Sequence, residues 1–269
     1  ICCKKAAFKF FVVRIFWHIL FVSSFLLGPF AKAEVMFEGY YQIKLGSVHS
    51  GFVIQQYSFD NKKKLFSSTY YIKTNQLAGD ITESLKATAN DKFEPVSYQY
   101  TSKTGNTIKT IDASFKNNKM MAVVSDGKLG NKVEFDLPKG TFLSTFLAYM
   151  MLSRGISKGK VYNYKGLAEE DAKVYDGKAL IQQQEDKYNL TAYKILNEFK
   201  GTKFISTMTD KAEVLDTKSP VQQIETVLVK TPAEATKGFQ VNSKTLRLLF
   251  GRVPSGKINQ LTKANSKGP

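Results

Sequence analysis

Glu34-Val35-Met36-Phe37-Glu38-Gly39-Tyr40-Tyr41-Gln42-Ile43-Lys44-Leu45 decides the fold. Phe37, Gly39, Tyr41, Ile43 and Leu45 fall on one side of an extended chain, with Glu38, Tyr40, Gln42 and Lys44 on the other. This period of two suits a strand and not a helix. Gly46-Ser47-Val48-His49-Ser50-Gly51 reads as a glycine-bounded hairpin turn, and Gly51 to Phe59 repeats the alternation, with Val53, Gln55, Tyr57 and Phe59 opposite Phe52, Ile54 and Gln56. Both faces are partly apolar, so both need cover.

Working outward, the same period holds from Glu34 to about Leu137, broken by turns such as Asp60-Asn61, Thr104-Gly105-Asn106 and Asp126-Gly127. That is an antiparallel meander. After Pro138-Lys139-Gly140 the period changes. Leu143, Phe146, Leu147 and Met150 stand at i, i+3, i+4 and i+7, and Arg154-Gly155 supplies a terminal cation and a glycine cap, which predicts a helix over residues 141–154. Its run from Phe142 to Leu152 is apolar nearly all round, so it must be buried on most sides. A second meander occupies 160–230, with a turn expected at Asp176-Gly177. Thr231-Pro232-Ala233-Glu234 then starts a short helix, with Thr231 as N-cap and Pro232 at the first helical position. Residues 255–269, rich in Lys, Asn, Ser and Gly, read as a disordered basic tail. The expected fold is mostly β: a large curved antiparallel sheet or half-open barrel, or two consecutive meanders, with the apolar helix on the concave side.

Residues 1–33 read as a signal peptide: Lys4, Lys5, Lys9 and Arg14 precede the apolar stretch from Ile19 to Leu27, and Ala31-Lys32-Ala33 supplies the cleavage pattern. Cleavage after Ala33 places the β-rich domain, 34–254, in the periplasm. An uncleaved N-terminal anchor in the inner membrane is the alternative.

The leader carries both cysteines, Cys2 and Cys3, with Trp17 and His18. The chain beyond Ala33 has no thiol and one imidazole, His49, which removes cysteine nucleophiles, disulfides and Cys/His zinc sites. His49 reads as a solvated turn residue. Glu169-Glu170-Asp171 lacks calcium-loop spacing and reads as a solvated loop. No metal, cofactor or catalytic residue is expected, and the chain is read as non-enzymatic.

The leader holds five of the 39 basic residues and none of the 23 acidic ones, leaving 34 against 23. Beyond it the arginines are Arg154, Arg247 and Arg252, too few for the bidentate forks that read nucleic acid. The scattered lysines read as a solvated surface, and peripheral contact with an anionic envelope is the functional version of the same charge.

Tyrosines recur in pairs on neighbouring strands. With an apolar body and a polar tip they suit the wall of a groove as well as a sheet face. The candidate ligand-binding set is Tyr41, Tyr57, Tyr71, Tyr98, Tyr100, Phe146 and Met150.

Glu38-Gly39-Tyr40-Tyr41 with Gly46 to Gly51, then Phe199-Lys200-Gly201, Ala212-Glu213-Val214-Leu215 and Thr231-Pro232-Ala233-Glu234-Ala235, resemble the exported bacterial β-rich proteins of domain of unknown function 3108, themselves distantly similar to the lipoprotein-carrier fold. The resemblance spans most of Glu34 to about Gly238, with Ala212 where such proteins carry glycine. It implies a periplasmic location and a curved antiparallel sheet, and it brings no catalytic residues. The expected role is a non-enzymatic periplasmic binding or carrier protein for a hydrophobic cell-envelope component such as a lipid. The alternative is an assembly module meeting an envelope protein through a sheet face or edge.

Overall fold

The computed structural model describes residues 33–127 and 130–265. The expected signal peptide, apart from Ala33, and residues 266–269 lie outside the described residues. One sheet of fifteen strands contains both meanders. The first runs β1 (Glu34–Leu45), β2 (Val48–Asp60), β3 (Leu65–Thr74), β4 (Ile81–Asn90), β5 (Pro95–Thr104), β6 (Thr107–Lys116), β7 (Lys119–Ser125) and β8 (Asn131–Asp136). The second runs β10 (Val161–Ala168), β11 (Lys173–Lys187), β12 (Leu190–Phe199), β13 (Thr202–Thr209), β14 (Val214–Ser219) and β15 (Ile224–Val229). Each strand in a meander pairs antiparallel with its sequence neighbour. The two meanders join where β15 returns to pair with β1, Tyr40 opposite Val229 through Leu45 opposite Ile224.

The sheet is open, and its ends are β8 and the short β9 (Thr141–Leu143), which pairs parallel with β10. It is strongly rolled. Leu85, Tyr98 and Ile111 of the first meander share one buried cluster with Leu167, Ile181 and Ile195 of the second. Strands so far apart in sheet order can share a core only if the sheet curls around it.

The segment expected to be a helix over 141–154 is split. Residues 141–143 form β9, Ser144–Phe146 a 3-10 turn, and only Leu147–Ser153 an α-helix, α1. An all-round apolar run carries no helical phase, and the free edge of β10 captures its first three residues. Small inward residues, Ala87, Ala89, Ala113 and Ala122, share the core with Phe146, Tyr149 and Met150 and leave depth for them. The rings of Tyr57 and Tyr149 meet edge-on at 4.9 Å, and Phe66 stacks on Phe93 at 4.9 Å.

Two further expectations are corrected. β11 runs straight through Asp176-Gly177 without a turn, because Gly177 lies under the Tyr164 ring: a Cβ there would come within 2.2 Å of it. Residues 255–265 are ordered, and α4 (Gln260–Asn265) ends the described chain.

The order of that C-terminal segment has a single origin. β15 pairs with β1 only from Tyr40 onward, so the first half of β1 has no strand on that side. On the outer face, α2 (Pro232–Thr236) and α3 (Ser243–Phe250) cover Tyr40, Phe52, Ile54 and Tyr71 through Ala235 and Leu246. Asn242 caps α3 at its start and Gly251, with φ of 75°, ends it. The chain then crosses the free edge of β1. The Glu38 amide donates to the Ile258 carbonyl at 2.7 Å, and Asn259 Nδ2 donates to the Glu38 carbonyl at 2.9 Å. The Glu38 carboxylate is fully buried. It accepts from the amides of Ser255 and Gly256, the Ser255 hydroxyl, Gln56 Nε2 and the Arg252 guanidinium. Beyond the edge, Leu261 enters the inner cluster of Phe37, Tyr41, Leu215 and Leu228. The segment is a strap threaded from one face of the sheet to the other.

Removing a buried carboxylate from so many donors strands them, and Glu38→Ala is expected to lower unfolding free energy by about 3 kcal/mol. Urea denaturation measures the loss. Hydrogen exchange at the Ser255 and Gly256 amides then shows protection lost in the strap before the strands; uniform loss across the sheet contradicts the assignment.

Candidate functional site

The candidate site is a cavity of about 190 Å³ lined by β1 and β2 on one side and by residues 212–213, β14 and β15 on the other. Phe37 and Tyr41 reach it from β1, Val53, Gln55 and Tyr57 from β2, and Glu213 and Val214 from the opposite wall. Period-two geometry puts alternate residues of each strand on this wall. Phe37 lies 6.3 Å from Tyr41 and 6.1 Å from Tyr57, ring centre to ring centre.

Both phenols are anchored at their tips. Tyr41 donates to the Val214 carbonyl at 2.9 Å and Tyr57 to the Thr145 carbonyl at 2.8 Å. Burial raises both pKa values, that of Tyr57 to about 12, so each remains a neutral donor. Gln55 donates to Ser68 Oγ at 3.0 Å.

Glu213 is the charged element in the wall. The turn before it is wound by the Thr209 hydroxyl, which accepts from the amides of Lys211 and Glu213, both at 3.2 Å. Ala212 sits in this turn at φ 63°, the left-handed region where glycine is at ease. The Glu213 carboxylate accepts from the Gln260 amide at 2.7 Å, and burial pushes its pKa up from 4.5 to about 7.

Glu169 is the second buried carboxyl. It corrects the expectation of a solvated loop for 169–171, being 3% exposed. Ser144 Oγ donates to it at 2.6 Å and the Thr145 amide at 3.1 Å, which ties the inner crossing segment to the end of β10. Burial raises its pKa to about 7. Its neighbours Glu170 and Asp171 pair with Lys200 at 2.5 and 2.6 Å. Among the described residues no group of His, Cys, Asp and Glu is arranged to hold a metal ion.

The seven expected ligand-binding residues do not form one site. Tyr41 and Tyr57 line the cavity. Tyr98, Tyr100, Phe146 and Met150 are packed into the main core, each at 3% exposure or less. Tyr71 is on the other face, with its ring 6.0 Å from Phe52. His49 lies in β2, not in a turn; it is half-buried against the Phe239 ring at 5.3 Å, with Nε2 2.9 Å from the Gly51 carbonyl oxygen. Sequence reasoning does not single out Glu213 and Glu169 as site residues. The available signal is an acid set among residues that otherwise face a core.

A crystal structure of a beta-barrel-like protein of domain of unknown function DUF1849 from Brucella abortus superposes with a TM-score of 0.53 at 10% identity, covering 71% of this chain and 94% of that one. The likeness is one of fold alone. A DUF1089 family protein from Pseudomonas aeruginosa superposes more loosely, with a TM-score of 0.38 at 11% identity over 65% of this chain and 91% of that one. No family model matches the chain, so the resemblance to domain of unknown function 3108 stays with its short motifs. No curated protein matches it either.

A carboxyl whose folded pKa lies above its unfolded value holds its proton more tightly in the native state. Its contribution is complete below about 4.5 and is lost as pH rises through about 7. Glu169→Gln mimics the protonated form. The variant is expected to match wild type near pH 4.5 and to gain on it as pH approaches 7, measured as the difference in urea midpoints; a constant difference across that range refutes ionisation of Glu169.

Proposed function

We propose that this protein is a non-enzymatic, exported binding protein of the periplasm whose inner cavity takes the apolar part of an envelope component. The cavity walled by Phe37, Tyr41, Val53 and Tyr57 carries this reading. An apolar cavity of about 150 Å³ accepts a benzene-sized guest, whereas pockets for drug-sized ligands run to roughly 300–1,000 Å³. At about 190 Å³ this one suits a short acyl segment or a single ring, not a whole lipid. Gln55 and Glu213 supply polar contacts at its wall, and protonated Glu213 is a donor for a carbonyl or hydroxyl. A second reading, an envelope assembly module, draws on the β8 edge and on Met121 and Val123, 41% and 46% exposed on neighbouring β7.

Val53→Phe adds bulk where space exists. It is expected to reduce binding of a single-ring guest such as toluene, followed by calorimetric titration, at least about tenfold, since the guest loses most of its buried area, while the thermal midpoint moves little. Probe binding that survives Val53→Phe places the ligand elsewhere, and no saturable binding by wild type favours the assembly reading.

A further inference from the structure

β8 is one end of the open sheet, and its far side has no strand partner. Which of its main-chain groups are left over follows from its pairing with β7. The Leu137 amide donates to the Asn118 carbonyl at 2.6 Å, so residue 137 faces β7, and along an extended strand successive residues turn their amide and carbonyl to opposite sides. Phe135 and Val133 therefore bond to β7, opposite Met120 and Ala122. Asp136, Glu134 and Lys132 turn theirs outward, and all three residues are exposed.

A free edge is a template for another strand, and charged side chains are the usual guard against that. Here the guard alternates in sign. Lys132 and Glu134 share the outer face two residues apart, with Val133 between them on the core face. Val133 and Phe135 are only half-buried, so the core face is incompletely covered at this end. An antiparallel copy of the same strand, centred on Val133, sets Lys132 opposite the partner's Glu134 and Val133 against its own counterpart. Residues 132 and 134 are the ones with main-chain groups to spare, so each Lys-Glu crossing is also a hydrogen-bonded pair. Slipping the register by two residues in either direction sets Lys132 against Lys132 or Glu134 against Glu134, and like charges directly opposite are destabilising. Glu134 accepts from Lys119 through Oε1 at 2.9 Å, which leaves Oε2 for a second cation.

We infer that β8 is a dimerisation edge, pairing antiparallel with the β8 of a second copy of this chain about a two-fold axis at Val133. Such a contact is isologous and closes on itself, so it leaves no further β8 edge to extend. The strand is six residues long and buries little area, so the dimer forms with rising concentration and is not an obligate unit. The edge lies apart from the apolar cavity, so ligand capture and dimerisation can fail independently.

The test is sedimentation velocity of the full chain over a concentration series. Wild type is expected to pass from monomer to dimer. Lys132→Glu turns both crossings into like-charge pairs and is expected to raise the dimer dissociation constant at least about tenfold. Exchanging both charges, Lys132→Glu with Glu134→Lys, restores the crossings and should restore the dimer. Glu134→Pro removes an amide that faces away from β7, so it should abolish pairing while the urea midpoint stays near wild type. A monomer at every concentration, association that ignores Lys132→Glu, or association that the double exchange does not recover overturns the inference.

Discussion

A carboxylate taken out of water must find several donors or give up its charge. Glu38 finds them in a segment more than two hundred residues away in the chain, and the arrangement of the C-terminal end follows from that need. The acid sits where β1 extends past its partner β15, so the donors that satisfy it also close an unpaired strand edge. Because the strap must then continue inward, Leu261 meets Phe37 and Leu215, and the Gln260 amide reaches Glu213. One buried charge thereby links the outer helices, the free edge and the wall of the inner cavity.

The inner crossing segment solves a related problem. A sheet rolled this tightly encloses a core that its own side chains must fill, yet many inward residues of β4, β6 and β7 are alanine. The filling comes from Phe146, Tyr149 and Met150 instead. The turn at Ser144-Thr145 is held from both sides: Tyr57 and Ser68 bond to Thr145 from one meander, and Glu169 accepts from Ser144 and Thr145 at the other. No residue of this plug lines the cavity that remains, which includes only two of the tyrosines that alternation suggested.

How much could be read from the sequence depends on whether the signal was local. The strands and the curved β-sheet were legible because period two and turn residues are written within ten positions of each other. The face of a given tyrosine was legible too. What covered that face was not, and so Tyr71 and Tyr98 were grouped although they lie on opposite sides. The run from Phe142 to Leu152 misled because it is apolar in every phase, leaving a β-edge to decide its first three residues. The tail misled for the opposite reason: its composition favours disorder, and the acid that orders it is at position 38. Helix α3 had a local signal in Asn242 and Gly251, too short a span to stand out beside the meanders.

The return of β15 to β1 also sets an order of events. The strand at the centre of the finished sheet is the first to be made, and its partner across the joint is the last, with residues 40–45 waiting for 224–229. Until then β1 is an edge strand, hydrophobic on both faces and open to pairing with any other extended chain. Contacts this distant in sequence form slowly, and exposed edges during that delay invite aggregation. A chain built this way stays exposed to mispairing at β1 until its last strand is in place, however early the rest of the first meander forms.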